Sequence, residues 1–130
     1  MQKGQISIDL LITLIVVVMV LGAFTIILSG FQSSQEEFFL KEQLKENASG
    51  LAAFITSSNA ISDINFTTQT FIHKVNYKNS SIRPSISIDV NYIILTFDTG
   101  DGFVEAKSFF SKPLGSTVTL NDTMLVVSNE

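Results

Sequence analysis

Apolar residues dominate from Leu10 to Leu28, in the run LLITLIVVVMVLGAFTIIL, and no charged residue falls between Asp9 and Glu36. At ~1.5 Å per residue a helix over this run reaches about 28 Å, close to the ~30 Å hydrocarbon core of a bilayer. Fourteen of its residues are Leu, Ile, Val or Phe. At roughly −0.3 to −0.6 kcal/mol each they contribute about −4 to −8 kcal/mol of insertion free energy. Polar residues enter from Phe31 onward. Leu40, Leu44, Ala48, Leu51, Phe54 and Ile55 then recur three and four positions apart. That spacing predicts a helix continuing with one apolar stripe, which stops near Thr56-Ser57-Ser58-Asn59.

Beyond residue 60 the period changes to two. Phe71, Val75 and Tyr77 alternate with polar neighbours and place His73 on the same side, and Ile86, Ile88, Val90, Tyr92 and Ile94 alternate likewise. The apolar phase slips between Ile93 and Leu95, as a bulge would cause. Asp98-Thr99-Gly100-Asp101-Gly102 reads as a turn, with a returning strand over Phe103 to Phe110. Thr117–Leu120 and Thr123–Val127 predict a last hairpin around Asn121-Asp122. The expected class is α+β: a long N-terminal helix, apolar then amphipathic, followed by a small antiparallel sheet of four to six strands lying over its second half. So small a core has little stability to spare, and the amphipathic stripe supplies part of its apolar cover.

Composition narrows the function. Net charge is −4 and only 15% of the 130 residues are charged, so no basic surplus exists to neutralise phosphates. Nucleic acid is not an expected partner. The absence of cysteine removes disulfides and thiolate metal sites, and His73 is the single histidine. No metal, no cofactor and no catalytic set are expected. Lys3 and the initial amine are the positive charges ahead of the apolar run, which favours a cytoplasmic N-terminus with residues 31–130 outside. A secretory signal peptide competes for the same run. Its h-region is usually ~7 to 15 residues, shorter than this one, and its cleavage site follows the run.

The residues ahead of the run are Lys3-Gly4-Gln5-Ile6-Ser7-Ile8-Asp9. This pattern resembles the class III signal of archaeal type IV pilins: a basic residue and Gly before the cut, then Gln-x-Ser-x-Glu and a long apolar stretch. Asp9 stands where that family usually has Glu, and the leader is very short. The resemblance covers about the first 28 residues; the rest of the chain has no recognisable family pattern. It implies cleavage between Gly4 and Gln5 by a prepilin-type membrane peptidase, with Lys3, Gly4 and Gln5 as processing residues. It also implies four parts. Residues 1–4 are the leader, 5–30 the membrane and polymerisation helix, 31–57 its amphipathic continuation and 58–130 the β-domain.

Glycine at position 4 lets the backbone enter a narrow protease cleft in extended form. Cleavage creates an ammonium on Gln5 that is costly to bury in a fibre unless paired. Asp9, one turn away, has three readings: it pairs with its own terminus, pairs with that of a neighbouring subunit, or remains a solvated carboxylate at a helix start. Ser7 caps the first turn or bridges to a neighbour. Gln5, Ser7 and Asp9 are the expected assembly residues.

Several motifs have two readings. Asp98-Thr99-Gly100 resembles the loop of aspartic proteases, yet it is ordinary turn chemistry and no partner motif accompanies it. Asp98 and Asp101 do not follow the spacing of a calcium loop. Acceptor sequons occur at Asn47, Asn65, Asn79 and Asn121, and an external location makes them glycosylation candidates; Asn79 and Asn121 sit nearest predicted turns. The function implied is an archaeal adhesion-pilus subunit. It would be stored in the cell membrane and drawn into a homopolymeric extracellular filament by an assembly platform and secretion ATPase. The alternatives are a minor pilin or pseudopilin of a secretion or adhesion apparatus, and a single-span anchored binding domain.

Overall fold

A computed structural model of the chain describes residues 2–61, 65–112 and 115–129, with side chains from Ser7 onward except at position 61. Helix α1 spans Gln2–Ser57 and is followed by the 3-10 turn Ser58–Ile61, so the polar cluster at 56–59 ends the helix where the pattern predicts. Ser58 is buried there, its hydroxyl donating to the Phe54 carbonyl at 3.1 Å. Such a bond satisfies one of the last carbonyls that a helix end leaves unpaired.

The chain divides into two compact units, Met1–Gln35 and Glu36–Glu130. In the second, Leu40, Leu44, Ala48, Leu51 and Ile55 are buried, as the stripe predicts, and Ala52 joins them; Phe54 is half-buried. Against this stripe, among the described residues, stand eight short strands in three antiparallel sheets: β1 (Phe66–Phe71), β8 (Met124–Asn129) and β7 (Thr117–Leu120); β2 (Val75–Tyr77) with β3 (Ser80–Ile82); and β4 (Ser85–Asp89), β5 (Tyr92–Asp98) and β6 (Phe103–Phe109). One core joins all three sheets to the helix, with Val75 from β2, Ile93, Leu95 and Phe97 from β5, and Leu125 and Val127 from β8.

Three expectations need correction. The strand count exceeds four to six, because short polar segments such as Ser80–Ile82 pair as well. The alternation Phe71–His73–Val75–Tyr77 is not one strand. Residues 72–74 leave the ladder, Ile72 turns inward, and Phe71 and His73 are exposed while Val75 is buried. The phase slip near Ile93 is not a bulge. Val90-Asn91 is a two-residue turn pairing Asp89 with Tyr92, so that Ile88 faces Ile93 and Ile86 faces Leu95 across the hairpin. Side chains that face each other across an antiparallel pair share a sheet face, so reversing the chain exchanges even-numbered core positions for odd ones. Val90 holds φ = 50°, a left-handed geometry that glycine ordinarily fills in such turns.

The other predicted turns are present. At Asp98–Gly102 the Thr99 N–H and Oγ1 both donate to the Gly102 carbonyl at 2.9 Å, and Gly100 takes φ = 85°. At Asn121-Asp122, the Asn121 and Met124 backbones exchange hydrogen bonds of 2.9 and 3.3 Å.

Candidate functional site: the unburied apolar helix

Within the first unit, every side chain from Ser7 to Gln35 is exposed. Among them Leu10 is 69%, Val17 50% and Ile26 75% accessible. Water does not tolerate so continuous an apolar surface on a soluble protein; such a surface marks contact with lipid or with other protein. The helix is long and apolar enough to cross a membrane, and none of that apolar window is covered by the rest of the fold. Its internal polar groups suit a hydrocarbon setting. The hydroxyls of Thr13 and Thr25 donate to the carbonyls of Asp9 and Leu21, four residues back, each at 2.8 Å. Both are thereby satisfied inside the helix, as an apolar medium requires. A Cβ added at Gly22 or Gly30 meets nothing within 4 Å, so these glycines are not demanded by contacts inside the chain.

The side chains of Lys3, Gly4 and Gln5 lie outside the described residues, while their backbone belongs to α1. The Gly4–Gln5 peptide therefore sits inside a helical turn, not in extended chain. Ser7 and Asp9 are exposed. Ser7 lies within α1 and is not its N-cap.

The sequons fall on four different settings. Asn47 is half-buried within α1, and Asn65 is exposed ahead of β1. Asn79 is exposed at the β2–β3 turn, with φ = 61°. Asn121 is exposed at the β7–β8 turn, its Oδ1 accepting the Asp122 N–H at 2.8 Å. In the Asp98-Thr99-Gly100 turn, Asp98 Oδ1 accepts the Gly100 N–H at 2.8 Å. That bond is the Asx-turn chemistry of a loop. Among the described residues, no three His, Cys, Asp or Glu side chains are grouped to hold a metal ion.

Two features escaped the sequence reading. Phe38 and Phe39 are both 60% exposed although the buried Leu40 is adjacent, and they meet edge-on with ring centroids 6.0 Å apart. The available signal was aromatic residues in a run otherwise polar from Gln32 to Glu37. The second is the amide of Gln43, which bonds the backbone of Asn76; nothing in the local pattern marks it.

The fold and this exposed segment define an α+β protein with one N-terminal helix suited to a membrane. Comparison with known proteins gave no matching family model, no matching curated protein and no matching solved structure.

Proposed function

We propose that the chain is a structural subunit of an archaeal type IV pilus, an adhesion filament that polymerises through the apolar half of α1. One observation carries the reading: the Leu10–Leu28 surface is exposed all round and follows directly on Lys3-Gly4-Gln5-x-Ser7-x-Asp9. The precursor rests in the cell membrane with its N-terminus cytoplasmic. A prepilin-type peptidase removes residues 1–4, which requires only the first turn of α1 to unwind, the part of a helix that frays most easily. The assembly platform and its ATPase then lift the subunit from lipid into the fibre. Apolar neighbours replace apolar lipid, so the transfer is close to neutral per helix and packing decides its sign.

Gln5 then carries the new ammonium, and Asp9 neutralises it within the subunit or across to the next. On the outside, Asn79 and Asn121 are the best-placed glycan acceptors, because both sit exposed on turns, whereas Asn47 is half-buried in a helix. The deciding experiment is N-terminal mass spectrometry of filaments sheared from cells. A mature chain starting at Gln5 in high-molecular-weight fibres supports the proposal. A chain starting downstream of Leu28 overturns it.

A further inference from the structure

The hairpin of β2 and β3 carries a glycan acceptor at the rim of a cleft. Tyr77 pairs with Ser80, so Lys78 and Asn79 form a two-residue turn, and both hold positive φ, 45° and 61°. Two left-handed central residues close a tight hairpin, and asparagine accepts that geometry better than most residues. Asn79 is exposed and opens the sequon Asn79-Ser80-Ser81. Beside it lies a cleft of about 430 Å³, walled by Glu36 and Phe39 of α1 and by Tyr77, Asn79, Ser80 and Ser81 of the hairpin. All of these belong to the second unit. The volume falls within the ~300–1,000 Å³ of sites that hold small molecules. The two walls are fixed to each other, because the Gln43 amide, one turn on from Phe39, bonds the backbone of Asn76. The Tyr77 ring is already engaged: it meets Phe97 edge-on with centroids 5.6 Å apart, and Lys78 Nζ lies 5.2 Å from its centroid. Phe39, 60% exposed, keeps ring surface open to the cleft.

We propose that the first sugar of a glycan on Asn79 folds back into this cleft, lays a face of its ring on Phe39, and so fastens the β2–β3 hairpin to α1. The walls suit a pyranose. Such a ring has a face of C–H groups, which matches an aromatic surface, and an edge of hydroxyls, for which the Glu36 carboxylate and the Ser80 and Ser81 hydroxyls are hydrogen-bond partners. The sugar need not bind tightly, since one joined to Asn79 starts at the rim. A short tether supplies an effective concentration in the mM range, so a contact too weak to capture a free sugar still fills the cleft. Asn121 sets the contrast. It too is exposed on a hairpin turn, but the cleft beside it, lined by Ile72, Pro84, Ile86 and Leu120 with polar neighbours, carries no aromatic ring among the described residues. A sugar there projects into solvent. This inference rests on Asn79 being an acceptor, as proposed above.

Because the chain has no cysteine, a sugar can be placed at one position without any cellular enzyme. The full-length chain carrying Asn79→Cys is alkylated in detergent with the N-iodoacetyl glycosylamine of N-acetylglucosamine, or with iodoacetamide, which leaves the same linker without the ring. A chain carrying Asn121→Cys is treated likewise. Chemical denaturation is expected to give a folding constant about three- to tenfold larger with the sugar than with the cap at position 79, and a ratio within about twofold at 121. Adding Phe39→Ser, at an exposed position, is expected to bring the ratio at 79 down to that at 121. The ratio is taken within each variant, so any effect of Phe39→Ser on stability itself cancels. Equal midpoints with sugar and cap at 79, the same gain at 121, or a gain indifferent to Phe39 overturns the packing of the sugar in the cleft. Mass spectrometry of the chain from its own cells is scored separately. Unmodified Asn79 there sinks the acceptor reading, whatever the cleft can hold. Modified Asn79 with no gain from the sugar sinks the packing alone.

Discussion

The side-chain amide of Gln43 makes a reciprocal pair of hydrogen bonds with the backbone of Asn76: Nε2 donates to the Asn76 carbonyl at 3.0 Å, and Oε1 accepts the Asn76 N–H at 2.8 Å. The hairpin register explains why these groups are free to be taken. Tyr77 pairs with Ser80 across a two-residue turn and Val75 pairs with Ile82. In such a ladder the bonded pairs alternate, so the N–H and C=O of Asn76 point away from β3. Gln43 acts as the missing strand on that edge and fastens the smallest sheet to the helix.

Replacing Gln43 with Ala is therefore expected to lower stability by about 1–2 kcal/mol, since two net hydrogen bonds are lost at a partly exposed site. Amide hydrogen exchange should accelerate at Asn76 more than at Leu95. Gln43→Glu keeps the acceptor and sets a carboxylate against the Asn76 carbonyl, so it should destabilise as well. Stability is read by chemical denaturation of the full chain in detergent.

Val90 offers the opposite sign. Its φ of 50° strains a β-branched residue, and it is 83% exposed, so its side chain contributes little packing. Strain of this kind costs on the order of 1–3 kcal/mol, against ~0.5–1 kcal/mol for glycine's extra freedom when unfolded. Val90→Gly is expected to raise the denaturation midpoint, corresponding to about 1 kcal/mol. A lower midpoint would show that the valine is held there by a contact.

Leu44 is fully buried on the stripe that faces the sheets. Leu44→Ala should cost about 2–5 kcal/mol through lost transfer energy and the cavity left behind. Loss of near-ultraviolet dichroism with retained helix signal would report that the strands, not α1, have come loose.

Two further variants address the proposed assembly. A bulky residue in place of Gly4 is expected to leave the precursor unshortened in the membrane on an immunoblot. Val17→Arg places a charge costing roughly 2.5–3.5 kcal/mol at the middle of the apolar run, and electron micrographs should then show no fibres. Unaltered fibres would contradict the placing of this helix in the fibre core.

The helical half of the fold was legible because the two periods that mark it, all-round apolar and then a stripe, extend over many turns. Leu40, Leu44, Ala48, Leu51 and Ile55 are buried as their spacing requires. The strands were less legible for local reasons. Val90-Asn91 carries no glycine to announce a turn, so a chain reversal resembled a bulge. β1, with sequence FTTQTF, shows polar Thr68 and Thr70 half-buried, and no apolar alternation advertises it. Its pairing with β8 joins residues such as Thr68 and Val127, a long-range relation that local pattern does not contain. Of the candidate site, the apolar helix and the turn positions of Asn79 and Asn121 could be read directly.

Among the described residues none of the three sheets has more than three strands, and each relies on side chains from residues 40–55 to close its core. The border between the two compact units consequently lies in mid-helix, at 35/36, and not at the loop where the helix stops. A soluble fragment trimmed at the obvious boundary, from Ser58 onward, would lose its keel and collapse into aggregating hairpins. One trimmed at Glu36 keeps the whole head.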